Sequence, residues 1–266
     1  MTPLTRLAAT AMAVACSVSL AACGTPRVDP DSAPSAPVVV LPTPAVNDFV
    51  STVMRTRGLG TADLTVEVST TTDEGTVRLS GTGPAGFSKG YGSLEWVTDD
   101  GEVFTELSNG KGLFVQVGGP AAMWTHSPDA WSTPTSRLAD PLRGIGTAID
   151  VVDAGPTRLG EVDTVGYTAR IPADPESLSL MGLSDEQIAS LGDSWRGEWI
   201  DVSVWVDERG RIIRVERTVD LPRTPIGPVS ATTVTDLADF SRTIDLEPPP
   251  SESVTEAPAS TTPASS

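Results

Sequence analysis

Gly86-Phe87-Ser88-Lys89-Gly90 has the G-x-S-x-G spacing of a serine nucleophile, and Asp99, Asp100 and His126 follow it in the order a hydrolase would need. That chemistry requires a strand, a sharp turn and then a helix, so that the hydroxyl stands clear of its own backbone. Here Ser88 falls in a glycine-rich link, and Tyr91 to Val97 alternates like a strand. The acid and base also follow the serine too closely for an α/β-hydrolase. The segment therefore reads as a connector, with no catalytic residue and no enzyme. Gly81-Thr82-Gly83-Pro84-Ala85-Gly86 has the G-x-G-x-x-G spacing that lets a main chain approach a pyrophosphate. Its logic needs a helix N-terminus directly behind it, and Pro84, Gly90 and Gly92 argue against one. His126 is the single histidine, which removes multi-histidine metal sites. Asp99-Asp100-Gly101-Glu102 reads as a polar turn, so neither metal nor cofactor is expected.

The remaining chemistry belongs to cysteine. Arg6 gives a cationic start, and Leu7 to Leu20 carries only small and apolar residues with Ser and Thr. The run is shorter than the about 20 residues a spanning helix needs and suits the apolar region of an export signal. It ends in Leu20-Ala21-Ala22-Cys23-Gly24, which resembles the bacterial lipobox. That resemblance implies a diacylglyceryl thioether on Cys23, cleavage after Ala22 and, in most cases, N-acylation. Each buried methylene adds about 0.8 kcal/mol, and two or more chains hold stably where one is marginal. The expected location is extracytoplasmic, on the outer face of the cell membrane. Cys16 leaves with the signal, so no thiol pair remains for a disulfide or a thiolate metal site. The net charge of −17 becomes one unit more negative once Arg6 is removed, which disfavours nucleic acid and anionic lipid surfaces.

Four regions follow from composition. Residues 1–22 are the signal, and residues 23–43 are a Pro-rich tether behind the lipidated Cys23. Residues 44–246 form one domain, and residues 247–266 are a Pro/Ser/Thr tail without apolar periodicity. Both Pro-rich stretches are expected to lack structure. The domain opens with a helix from Pro44, since Val46, Phe49, Val50 and Val53 fall at i, i+3, i+4 and i+7 before Gly58. Alternating strands follow through Leu64–Val68, Val77–Leu79, Leu94–Trp96, Val103–Leu107 and Leu113–Val117. Asp100-Gly101 and Asn109-Gly110 are the hairpin signals between them. Residues 118–135 read as irregular. A second helix is expected over 140–150, started by Asp140-Pro141, with Leu138, Leu142, Ile145 and Ile149 spaced for one face. Strands flank a turn at Asp163-Thr164, and a capping box at Ser184 to Gln187 predicts a short helix over 184–191. Val202, Val204 and Val206 pair across Asp207-Glu208-Arg209-Gly210 with Ile213, Val215 and Val219, before a last strand near 229–237. Strands with one apolar face need a cover. The fold class expected is α+β: one large curved antiparallel sheet with helices on one side; a β-sandwich is the alternative, but it leaves three helices without a role.

Gly160-Glu161-Val162-Asp163-Thr164-Val165-Gly166-Tyr167 and Val204-Trp205-Val206-Asp207-Glu208-Arg209-Gly210-Arg211, with Leu237-Ala238-Asp239-Phe240 and the exit Leu246-Glu247-Pro248-Pro249, resemble the actinobacterial lipoproteins of the LppX/LprG kind. These share the half-barrel of the LolA/LolB lipoprotein carriers. The resemblance implies a cavity between sheet and helices that shelters the chains of an acyl lipid or glycolipid, with no catalytic motif. Apolar candidates for such a cavity are Phe49, Val53, Leu142, Ile145, Ile149, Val115, Val204 and Val215. The alternative is a tethered module with a closed core that binds an envelope protein partner or organises the cell wall.

Overall fold

The computed structural model describes residues 44–87, 91–109, 112–127, 140–180, 198–224, 227–244 and 246–256. Helix α1 spans Pro44–Gly58. The strands are β1 Thr61–Thr72, β2 Gly75–Gly86, β3 Tyr91–Thr98, β4 Val103–Ser108, β5 Leu113–Val117 and β6 Trp124–Ser127. They continue as β7 Ile149–Leu159, β8 Val162–Pro172, β9 Trp199–Val206, β10 Ile212–Thr224, β11 Gly227–Ala238 and β12 Val254–Glu256. A short helix α2, Pro175–Leu180, joins β8 to the segment before β9.

The strands form one sheet in the order β12-β6-β5-β4-β3-β2-β1-β11-β10-β9-β8-β7. All ladders are antiparallel except β12 on β6. The order is linear, with β12 and β7 at opposite edges. This corrects the expected half-barrel: the sheet is open and not strongly curled. Alternation requires only that one face be apolar, and a broad twisted sheet meets that as well as a curved one. Closure would need the edges to meet, and β7 cannot extend a ladder evenly. It has register breaks between Ile149 and Val152 and between Asp153 and Gly155, a positive φ at Asp150, and Pro156, which lacks an N–H.

The helical cover is also thinner than expected. Helix α1 forms as its stripe requires, burying Phe49 and Val53, and the Phe49 ring meets Tyr167 of β8 at 5.9 Å. Thr56 Oγ1 donates to Thr52 O and accepts the Ile212 N–H, tying the last turn of α1 to the start of β10. The helix expected over 140–150 does not form. Residues 140–143 make a turn, Gly144 takes φ +74°, and only Ile145–Thr147 is 3₁₀-helical before β7 begins at Ile149. Leu142 and Ile145 are buried even so, because residues three apart share a face in a 3₁₀ turn as they do in an α-helix. The helix expected over 184–191 lies outside the described residues. Helix α2 carries a start signal the sequence reading passed over: Asp174 accepts the Ser177 N–H and precedes Pro175.

Three smaller differences concern loops. The β7–β8 turn sits at Gly160-Glu161, with Leu159 opposite Val162 and Gly160 at φ +60°, rather than at Asp163-Thr164. Strand β6 lies within the stretch read as irregular. Residues 254–256, in the tail expected to lack structure, form β12. The turn at Asp207-Glu208-Arg209-Gly210 is as expected. Asp207 Oδ1 accepts the Arg209 and Arg211 N–H groups, and Oδ2 accepts Arg211 Nε and Nη2.

Burial alone would raise the Asp207 carboxyl, but its bonds from Arg211 outweigh that and hold it below its ordinary 3.8. A lowered folded value stabilises the fold above the unfolded value and is lost as pH falls through the folded one. Asp207→Asn is therefore expected to cost about 2 kcal/mol at neutral pH. The gap to the parent should close progressively below pH 3.8. Urea titrations at several pH values would show it; a gap independent of pH would refute this account of the turn.

Candidate functional site

The inner face of the sheet is the one that α1 covers. Ala62, Leu64 and Val66 of β1, Leu94 and Trp96 of β3, Ile200 to Val206 in alternation on β9, and Val215 of β10 all point there and are buried. The sequence candidates divide on this surface. Phe49, Val53, Leu142, Ile145, Val204 and Val215 join in one apolar cluster. Val115, on the inner face of β5 opposite Glu106, is half-buried and stands outside that cluster. Ile149 starts the edge strand β7 and is 41 % exposed.

Polar groups outside the set of sequence candidates hold the cover down. Asp140 begins the 140–147 segment and is buried. Its Oδ2 accepts Arg57 Nη2 of α1 at 2.8 Å, and its Oδ1 accepts the Leu142 N–H at 3.2 Å. Arg57 Nη2 also donates to Phe87 O at the end of β2. Burial pushes the Asp140 carboxyl above its ordinary range, with Arg57 pulling the other way. Beneath the same segment, Arg217 of β10 occupies an inner-face position between Val202 of β9 and Thr233 of β11. Its Nη2 donates to Pro141 O at 2.5 Å and to Arg143 O at 2.8 Å. Burial brings Arg217 down to about 10, opposed by Asp140, which leaves it cationic at neutral pH. The gap bounded by Pro141, Val215, Arg217, Thr233 and Thr235 measures about 10 Å³, room for about one water. A larger hollow of about 300 Å³ lies over β1, β2, β3 and β11 and is lined by Glu67, Ser69, Arg78, Asp99 and Val234 among others. Most of those positions belong to the face opposite α1, and the lining mixes charged and hydroxyl groups with Val68, Leu79, Val97 and Val234.

The hydrolase motif does not assemble. Asp99 Oδ2 accepts the Arg78 N–H, and Asp100 accepts the Thr98 hydroxyl, both in the β3–β4 turn. Through β5, His126 aligns with Leu107 of β4, four positions along the strand from Val103. At about 3.3 Å per residue that alone is roughly 13 Å. His126 stacks on Phe114 at 4.5 Å and places Nδ1 3.0 Å from Glu256 Oε1 on β12. Ser88 lies outside the described residues. The G-x-G-x-x-G stretch is extended strand in β2, paired with β1 throughout and with β3 except at Gly83 and Pro84. Its glycines serve packing: a Cβ on Gly81 would stand 2.5 Å from the Trp96 ring, and one on Gly83, at φ +152°, would strike the Ser93 carbonyl. Among the described residues no three His, Cys, Asp or Glu stand together as metal ligands, and no helix is long and apolar enough to cross a membrane. The described residues present no catalytic set.

No protein-family model matches this chain, and no curated protein is similar to it. Solved structures of similar architecture exist at low identity. The lipoprotein LppX of Mycobacterium tuberculosis is 16 % identical, with 76 % of this chain and 98 % of that one covered at a TM-score of 0.46. LprF of Mycobacterium bovis is 14 % identical, with 78 % and 98 % covered at a TM-score of 0.49. A putative outer membrane lipoprotein-sorting protein domain from Vibrio parahaemolyticus is 11 % identical, with 75 % and 95 % covered at a TM-score of 0.27.

Proposed function

We propose that this chain is a lipid-anchored protein of the bacterial envelope whose domain, residues 44–246, shelters acyl chains between the inner face of the sheet and its thin cover. The observation that carries this reading is the way the cover is fastened. The 140–147 segment lies on an apolar sheet face and is held there by Arg57, Asp140 and Arg217 as well as by Leu142 and Ile145. A cover meant only to complete a core is held adequately by apolar contact. One held by a few polar bonds can be released and reseated as a unit. Each methylene moved from water into the space beneath would gain about 0.8 kcal/mol, and no bond would be made or broken.

Cys23 supplies the anchor in this reading. Cys23→Ala is expected to abolish incorporation of labelled palmitate and partition into a detergent phase; retention of both would sink the lipobox assignment. The small interior gap favours a second reading, a closed module that binds an envelope protein. The two are separated by purifying residues 24–266, which keep every described element, from a lipid-rich host for native and denaturing mass spectrometry. Stoichiometric acyl lipid supports shelter. A clean protein that also ignores a fluorescent acyl probe leaves the closed module standing.

A further inference from the structure

Arg217 is an anomaly on its own strand. Val215 and Val219 flank it on the same face, and its cross-strand neighbours are Val202 and Thr233. A guanidinium in such a place normally meets a carboxylate in two parallel bonds. The carboxylate that acts on it electrostatically, Asp140, is bonded instead to Arg57 and to the Leu142 amide. Arg217 spends Nη2 on two neutral main-chain oxygens, while its Nε is shut off from solvent and meets no acceptor among the described residues. The gap bounded by Pro141, Val215, Thr233 and Thr235 opens onto this side chain. The Nε/Nη2 edge therefore presents the donor pair that a planar carboxylate accepts.

From this we propose that Arg217 is the anchor for the carboxylate of a long-chain fatty acid. The 140–147 segment acts as a plug whose Pro141 and Arg143 carbonyls hold the anchor until the ligand displaces them. When the plug lifts, Leu142 and Ile145 leave the apolar cluster they share with Phe49, Val204 and Val215, and the alkyl chain refills their place. A carboxylate suits the position better than a bulkier phosphate, because the gap beside Arg217 is only water-sized. This proposal rests on the acyl-shelter reading, and its test separates the two.

Residues 24–266 would be titrated with a fluorescent C16 fatty acid and with its methyl ester. The wild type is expected to bind the acid at least tenfold more tightly. Arg217→Met should lose that preference, acid and ester then binding alike, whatever loosening the plug does to both. Hydrogen exchange should show the amides of residues 143–148 losing protection when the acid binds. Equal affinity of the wild type for acid and ester, or unchanged protection of the plug, overturns the anchor while leaving acyl shelter standing. Failure to bind either probe overturns both. Should Arg217→Met fail to fold, Arg217→Lys decides, since it keeps the charge and loses the two-donor edge. Its acid preference is expected to fall at least fivefold, and an unchanged preference overturns the proposal.

Discussion

Gly81→Val should destabilise the domain by about 3 kcal/mol or more, although valine is the better strand residue. Intrinsic strand preference spans only about 1 kcal/mol and favours the substitution. Against it stands the Trp96 indole, whose ring atoms lie 2.5 to 2.8 Å from where the new Cβ would be. The indole has nowhere to go. It is fully buried, it stacks on Phe104 at 6.2 Å, and its Nε1 donates to the buried Glu106 carboxylate at 3.0 Å. Moving the ring would strip the buried Glu106 side chain of a donor, and a buried acceptor left unsatisfied costs about 1–3 kcal/mol. Overpacking of this kind costs about 1–3 kcal/mol even without that loss. The check is a double-mutant cycle with Trp96→Leu read by urea denaturation. The cost of Gly81→Val should largely vanish once Trp96→Leu has removed the indole, and additivity would show that the glycine serves something other than the ring.

Asp140→Ala is expected to cost about 3 kcal/mol, the range for removing one partner of a buried ion pair. Three things go at once: the bond from Arg57, the acceptor for the Leu142 amide, and the negative charge that favours the Arg217 cation. Arg57→Ala should cost less, because the Arg57 side chain is 36 % exposed against 6 % for Asp140 and solvent can replace part of what it loses. Equilibrium unfolding of the two variants tests the order. If Arg57→Ala proves the more damaging, the fastening of the 140–147 segment has been assigned to the wrong side chain.

What the chain reveals in sequence and what it hides divide along physical lines. Helix α1, the β1–β5 meander and the β9–β10 hairpin were legible because each states its own period: four-residue spacing in Val46–Val53, two-residue alternation in Leu64–Val68 and Val202–Val206. Residues 140–149 misled because a spacing of three fits an α-helix and a 3₁₀ turn alike, and Gly144 decides between them. Strand β6 offered Trp-Thr-His-Ser, with no apolar alternation, and β12 offered Val-Thr-Glu in a Ser/Thr tail. β6 becomes a strand because β5 lies beside it, and β12 because β6 does. Sheet curvature has no local signature, so the half-barrel inferred from family likeness was free to be wrong. The apolar half of the candidate site was readable, since Phe49, Leu142, Val204 and Val215 declare themselves by type. Its polar half was not. Arg217 bonds to carbonyls 74 and 76 residues away, and nothing in the run Glu216-Arg217-Thr218 distinguishes it from a solvent-facing arginine.

The two edges of the sheet bear on how the molecule would live among copies of itself. Under the proposed lipid anchor the chain would be confined to a plane, where local concentration is high and neighbours approach side-on. An unprotected edge would invite strand-to-strand polymerisation there. At one end, β12 occupies the outer side of β6, so that a short parallel strand stands where a neighbour's backbone would dock. At the other, β7 meets newcomers with two breaks in register, Pro156 and the exposed carboxylates of Asp150 and Asp153. Both margins discourage templated growth, so crowding on the surface would favour dispersed single copies over filaments.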